Sequence, residues 1–338
     1  MTSDAIVALA LKDWVVLQMP GAFEQGGVEL HRKQTHAWDL MSSALVPSRE
    51  LKNFDRQSLL LLAAMSLVED GNQGDSLARS SIIGATSNGS IDSVIQLIKE
   101  SNESPFAYQV NPAQIPNTVI NSSVGQLAIK YGIKGANVSL CAKELSFYNA
   151  LVQGLRFARR SQSEYIYTTA IETFTGEFGA LYARSMDLPA EQCLDTAAIF
   201  SFQATADFRA PGLLIRSCIT GRLFPAAPDS LMDLMFTFLA GQRIEPERVS
   251  RSNLAVPDSW RTSLGDLDRV FGERLGVLER ARTKSLSLVG AYQLAELVVA
   301  VTPGSFGVMA VVDEDGFYGV ALIEHVDAQC DSVSGSSD

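Results

Sequence analysis

Histidine and cysteine are scarce here, and those present are poorly placed for metal chemistry. The three histidines, at 31, 36 and 325, form no two-histidine signature, and the four cysteines, at 141, 193, 218 and 330, show no Cys-x-x-Cys spacing. No metal site is expected. His31 and His36 lie five apart beside Arg32 and Lys33, in a polar stretch that reads as solvated surface. Positive charge is also short: 27 basic against 38 acidic residues give a net charge of −11, which excludes a broad grip on a nucleic acid. The longest apolar run, Leu59 to Met65, falls far below the roughly 20 residues that cross a bilayer, so no membrane association is expected. The start, Met1-Thr2-Ser3-Asp4, lacks the basic stretch, apolar run and small-residue cleavage site of a secretion signal. The expectation is a reduced, cytoplasmic protein.

Apolar residues make up 46% of the 338 and charged residues 19%, enough to bury a large core and to exclude a disordered or disulfide-stapled chain. At about 150 residues per domain, the length suggests two domains or one large composite fold. Strand-like β-branched runs alternate with helical segments, which is the α/β pattern. Helices are expected over Arg56 to Val68, Ile91 to Lys99, Thr118 to Tyr131 (closed by Gly132), Glu144 to Arg160, Asp229 to Gly241 and Leu264 to Ala281. Strands are expected over Ser81 to Gly84, Ala136 to Cys141, Tyr165 to Ala170, Phe178 to Ala183 and Leu194 to Gln203, with a closing hairpin of Val308 to Val312 and Tyr318 to Ile323. The proline-bearing stretch Met186 to Ala190 is the best internal boundary, and Asp327 to Asp338 reads as a loose acidic tail. The turn Gly84 to Gly89 lacks the spacing of either phosphate-loop fingerprint.

From Pro116 the motifs become specific. Pro116-Asn117-Thr118-Val119-Ile120-Asn121, then Gly125-Gln126 and Gly132-Ile133-Lys134-Gly135, resemble the segment leading to the active site of β-ketoacyl synthases. The resemblance runs without a gap through Asn137, Ser139, Ala150, Arg156, Arg159-Arg160 and Glu164 to Ala170-Ile171-Glu172. It extends back to Asp55-Arg56 and to the turn of Gly84, Thr86 and Gly89, and forward to Thr283-Lys284-Ser285, Gly290-Ala291 and Ser305-Phe306-Gly307. It implies a thiolase-like, layered α/β/α/β/α fold of two similar halves, 1–185 and a shortened 186–326, followed by the tail 327–338. It also implies a dimer in which the strand Ala136 to Cys141 pairs across the axis.

Ketosynthase chemistry needs a cysteine thiolate at a helix N-terminus and two histidines that help decarboxylate a malonyl thioester and stabilise the oxyanion. Counting without gaps, Glu144 occupies the nucleophile position. A carboxylate there is favoured by the helix dipole and expected to stay ionised; it is a weak nucleophile, and its charge opposes an incoming malonate. The glycine-histidine pair expected between Ser285 and Gly290 is deleted, and the other histidine, expected within Ser252 to Asp266, is absent. Cys141 sits three positions early and reads as a buried small hydrophobe; Cys193, Cys218 and Cys330 read as ordinary.

The resemblance therefore points to a nucleophile-free relative, a chain-length factor of a type II polyketide system making polyene or aromatic chains. Such a protein carries no cofactor of its own. It partners an active ketosynthase, and its substrate rides on the phosphopantetheine of an acyl carrier protein. Asn117, Ile120, Asn121 and Val124 are the expected tunnel wall, with Asn137, Ser139 and Cys141 on the interface strand. Arg156, Arg159 and Arg160 recur at helical spacing as a solvated face able to meet an acidic carrier. The rival reading is an enzyme centred on Glu144: a malonyl-carrier-protein decarboxylase, or a diverged acyltransferase.

Overall fold

Strand β1 (Ala8–Met19) sends Leu9, Trp14 and Val16 into one apolar cluster and Val15 and Leu17 into another, so both of its faces are covered. Such a strand shows no clean apolar–polar alternation, which hid β1 from the sequence pattern. The computed structural model describes residues 7–19, 29–30, 54–68, 74–106, 108–160, 162–174, 176–189, 192–224, 226–278 and 284–327. His31, His36, Thr283, Cys330 and the tail beyond Asp327 lie outside the described residues.

The other strands are β2 (Glu29–Leu30), β3 (Ser81–Ala85), β4 (Asn137–Leu140), β5 (Tyr165–Glu172), β6 (Asp195–Thr205), β7 (Gly212–Arg222), β8 (Val249–Ala255), β9 (Leu275–Val277), β10 (Ser305–Val312) and β11 (Phe317–Val326). They run in the order β4-β3-β5-β6-β1-β7-β11-β10-β8-β9, with β2 paired to β1. Setting β2 aside, the order inward from either edge is the third, second, fourth, fifth and first strand of a five-strand set. Strand senses match too: β3 is parallel to β4 and β5 as β8 is to β9 and β10, and the remaining pairs in each set are antiparallel. Within the sheet, the two sets are joined by the pairs Leu9↔Ile215 and Ala10↔Leu214 of β1 and β7. This pairing assigns β6 to the first half, so topology divides the chain at 206–211, later than the boundary expected at 186.

The helices are α1 (Arg56–Met65), α2 (Asp75–Ala78), α3 (Ile91–Glu103), α4 (Ser122–Tyr131), α5 (Ser146–Arg159), α6 (Gly176–Ser185), α7 (Pro228–Gly241), α8 (Gly265–Phe271) and α9 (Val289–Ala300). Three apolar clusters define the layers. Leu60, Leu61, Val124 and Leu127 of α1 and α4 cover the outer face of the first strand set. Phe147, Leu151 and Leu155 of α5 meet Leu294 and Leu297 of α9 in the central layer. Leu231, Met235 and Phe271 of α7 and α8 cover the second set. A Cβ on Gly290 of α9 would stand 3.0 Å from the rings of Phe147 and Tyr148, so a larger residue there would press on both rings where the central helices meet.

Three expectations are corrected. Phe178 to Ala183, expected as a strand, lies within α6; its Phe178 and Tyr182 rings pack on Phe174 at helical spacing. The helix from Leu264 stops at Phe271, where Gly272 turns at φ +52°, and Leu275–Val277 then joins β8 as β9. The stretch 118–131 is no single helix: a 3-10 turn over Pro112–Thr118 ends at Val119, whose backbone is extended (φ −90°, ψ 142°), and α4 starts afresh at Ser122.

Candidate functional site

The carboxyl ends of parallel strands from both halves open onto one crevice, the usual place for a site in such sheets. After β4 the chain turns sharply. Lys143 adopts φ +48°, Leu145 N–H donates to the Ala142 carbonyl at 2.9 Å, and the buried Ser146 hydroxyl holds the elbow. That hydroxyl accepts from Ala142 N–H at 2.8 Å and donates to the Lys143 carbonyl at 2.7 Å. The elbow delivers Glu144 to the mouth of α5, facing a cleft of about 280 Å³.

The charges in that cleft are unbalanced. Lys143 and Lys284 line it, but so do Glu144, Asp258, Asp313, Glu314 and Asp315. Lys284 Nζ lies 4.0 Å from Asp258 Oδ2, so part of the positive charge is already engaged. Burial raises the Glu144 carboxyl above its ordinary value; its own backbone amide lowers it, Asp313 raises it further, and Lys143 and Lys284 oppose. Desolvation therefore works against the ionised form that the helix end was expected to favour. The Oε2 atom is shielded from solvent and accepts no hydrogen bond among the described residues, which further disfavours the charged form.

No cysteine and no histidine line the cleft among the described residues. Where the missing glycine-histidine pair would extend the loop, Leu286 turns at φ +50° and enters the cleft, and α9 follows after a 3-10 turn. The stretch expected to supply the other histidine presents Ala255, Val256, Pro257 and Asp258. His325 lies at the far end of β11, its Nδ1 2.8 Å from the Val301 carbonyl, roughly 27 Å along the strand from the cleft-lining turn. Tyr182 closes one wall by donating its hydroxyl to the Lys284 carbonyl. Sequence reasoning missed Tyr182 and read Asp313-Glu314-Asp315 only as a hairpin turn.

The expected wall and interface residues separate. Val124 and Asn117 are buried, Val124 as part of the outer core cluster. Ile120 is 40% exposed, Asn121, Asn137 and Cys141 are exposed, and Ser139 is half-buried. Cys141 therefore differs from its reading as a buried hydrophobe: β4 ends at Leu140, and its thiol donates to the Ser87 carbonyl at 3.3 Å. Arg156, Arg159 and Arg160 are exposed around the C-terminal end of α5, about 20 Å from Glu144, where they complement the helix dipole.

Two matched five-strand sets with paired central helices define a mixed α/β, thiolase-like fold of the ketosynthase type. Among solved structures, the chain is similar to "The ishigamide ketosynthase/chain length factor", with a TM-score of 0.71 and 15% identity over 94% of this chain and 99% of that one. It is also similar to a β-ketoacyl synthase from Burkholderia phymatum STM815, with a TM-score of 0.65 and 12% identity over 94% and 99% of the two chains. No family model and no curated protein matches the sequence. No helix among the described residues is long and apolar enough to cross a membrane.

Proposed function

We propose that this chain is a non-catalytic, chain-length-factor-like subunit that pairs with an active ketosynthase in the cytoplasm and shapes the tunnel in which a type II polyketide chain grows. The observation that carries the reading is Glu144 at the helix mouth, in a cleft lined by neither thiol nor imidazole among the described residues. A carboxylate attacks a thioester poorly, and five carboxylates in the lining repel a malonyl group.

Pairing is supported at the sheet edge. β4 is the terminal strand, so its outer backbone groups have no partner strand among the described residues, and proteins rarely leave such an edge uncovered. The segment feeding it exposes Phe106, Tyr108, Ile115, Val119, Ile120 and Ile129, the last 77% accessible. Phe106 and Tyr108 stack with ring centroids 5.6 Å apart. An apolar surface of this kind beside an open edge suits a protein partner. The growing chain would arrive on the phosphopantetheine of an acyl carrier protein, and Ile120 and Asn121 would meet it at the edge. Co-expression with the ketosynthase encoded beside it, followed by sizing, tests the reading: a single heterodimer is expected, and separate elution of two soluble proteins overturns it.

The raised Glu144 carboxyl favours one second reading. As a neutral acid, it would give its proton to the α-carbon of a malonyl thioester as the bond to the carboxylate breaks, releasing carbon dioxide and leaving an acetyl thioester.

A further inference from the structure

Glu172 ends β5 fully buried, yet it lines no cleft described above and forms no ion pair among the described residues. Its carboxyl is instead a meeting point for donors from both halves. Oε1 accepts from the Ser287 hydroxyl at 2.6 Å and from the Ser87 N–H, and Oε2 accepts from Asn88 Nδ2 at 3.0 Å. Ser87 and Asn88 belong to the turn after β3; Ser287 belongs to the loop that carries Lys284 and Leu286 into the cleft.

That turn also touches the proposed tunnel wall. Gly89 turns at φ +55°, and a Cβ there would stand 3.3 Å from the Ile120 backbone, so Ile120 rests directly on it. The turn is tied down elsewhere by Gln57 Nε2 donating to the Gly89 carbonyl at 2.8 Å and by Gly89 N–H donating to Thr86 Oγ1 at 3.0 Å. A continuous path of bonded and packed groups thus runs from Leu286 in the cleft through Ser287, Glu172 and the turn to Ile120.

We propose that Glu172 is a positioning residue that locks the cleft loop 284–288 to the turn 86–90 and thereby sets Ile120 against the growing acyl chain. The role in acyl positioning rests on the proposed function; the lock itself does not. Removing the acceptor leaves the buried Ser287 hydroxyl and the half-buried Ser87 N–H and Asn88 Nδ2 without it, so the turn and loop gain freedom together.

Hydrogen exchange of the full chain tests this in two variants. Ser287→Ala cuts the link to the second half alone, and Glu172→Gln keeps one acceptor oxygen. Both should speed exchange by about tenfold in segments 86–90, 284–288 and 118–122, with the hairpin 305–326 unchanged. The segment 118–122 is decisive, because no hydrogen bond joins it to Glu172 and a purely local role would leave it unmoved. Unchanged exchange at 118–122, or an equal rise everywhere, overturns the proposal. In the heterodimer the same variants should broaden the product-length distribution; an unbroadened distribution despite faster exchange overturns the acyl-positioning role. If wild-type protein fails to pair with a ketosynthase, the proposed function falls, while the exchange result still decides the lock.

Discussion

Gly84 on β3 and Val124 on α4 touch so closely that a Cβ on Gly84 would stand 2.4 Å from Val124 Cγ2 and 3.4 Å from Ser139 Oγ. The contact seats α4 on the sheet and commits Val124 to the core. Gly84→Ala should therefore cost about 1–3 kcal/mol of stability through overpacking. Adding Val124→Ala should recover part of that loss, because the two side chains compete for one space. Urea denaturation of the single and double variants measures the coupling, and strictly additive losses contradict it.

Burial raises the Glu172 carboxyl to about 7, against the hydrogen bonds from Ser287, Ser87 and Asn88 that lower it. A carboxyl with a folded value above its unfolded one holds its proton more tightly in the native state. Its stabilising contribution is whole below the unfolded value of about 4.3 and is lost as pH rises through 7. Stability should fall between pH 5 and pH 8 by up to about 3 kcal/mol from this group. Glu144 and Asp195 are raised mainly by burial too, so the share of Glu172 is the difference between wild type and Glu172→Gln. Parallel pH profiles of the two proteins contradict the assignment.

Purified alone and given malonyl-carrier protein, the chain should release no carbon dioxide above background. Release abolished by Glu144→Ala would establish the decarboxylase instead. Glu144→Cys should restore the thiol but no condensation, since each missing oxyanion donor costs about 10²–10³-fold in rate. Formation of a carbon–carbon bond by that variant alone argues against the cleft as described.

Ile120 faces outward beside the open edge, 40% exposed and supported by Gly89. In the heterodimer, Ile120→Ala should lengthen the polyketide products and Ile120→Phe should shorten them. Mass analysis of products from soluble complexes checks this, and an unchanged length in both removes Ile120 from the tunnel wall.

What was legible in the sequence was local. The helix from Arg56, the glycine turn at 84–89, the strand leading into the helix at Glu144 and the closing hairpin all announce themselves within a few residues. β1 and α9 did not, because they are buried on nearly every side and carry no apolar–polar period. The acidity of the cleft was hidden for another reason. Glu144, Asp258 and Asp313 to Asp315 come from three distant segments, and only the stacking of the two halves brings them together. Glu172 was read as a strand end; its donors lie 85 and 115 residues away in sequence.

The central claim is that Glu144 stands where a working relative keeps its sulfur, so acyl groups load onto the partner and not onto this chain. Intact-protein mass spectrometry of the heterodimer after incubation with an acyl-carrier protein tests it directly. The expected result is an acyl adduct on the ketosynthase subunit and an unshifted mass for this chain. A stoichiometric acyl adduct here, at Glu144 or at the exposed Cys141, would contradict it.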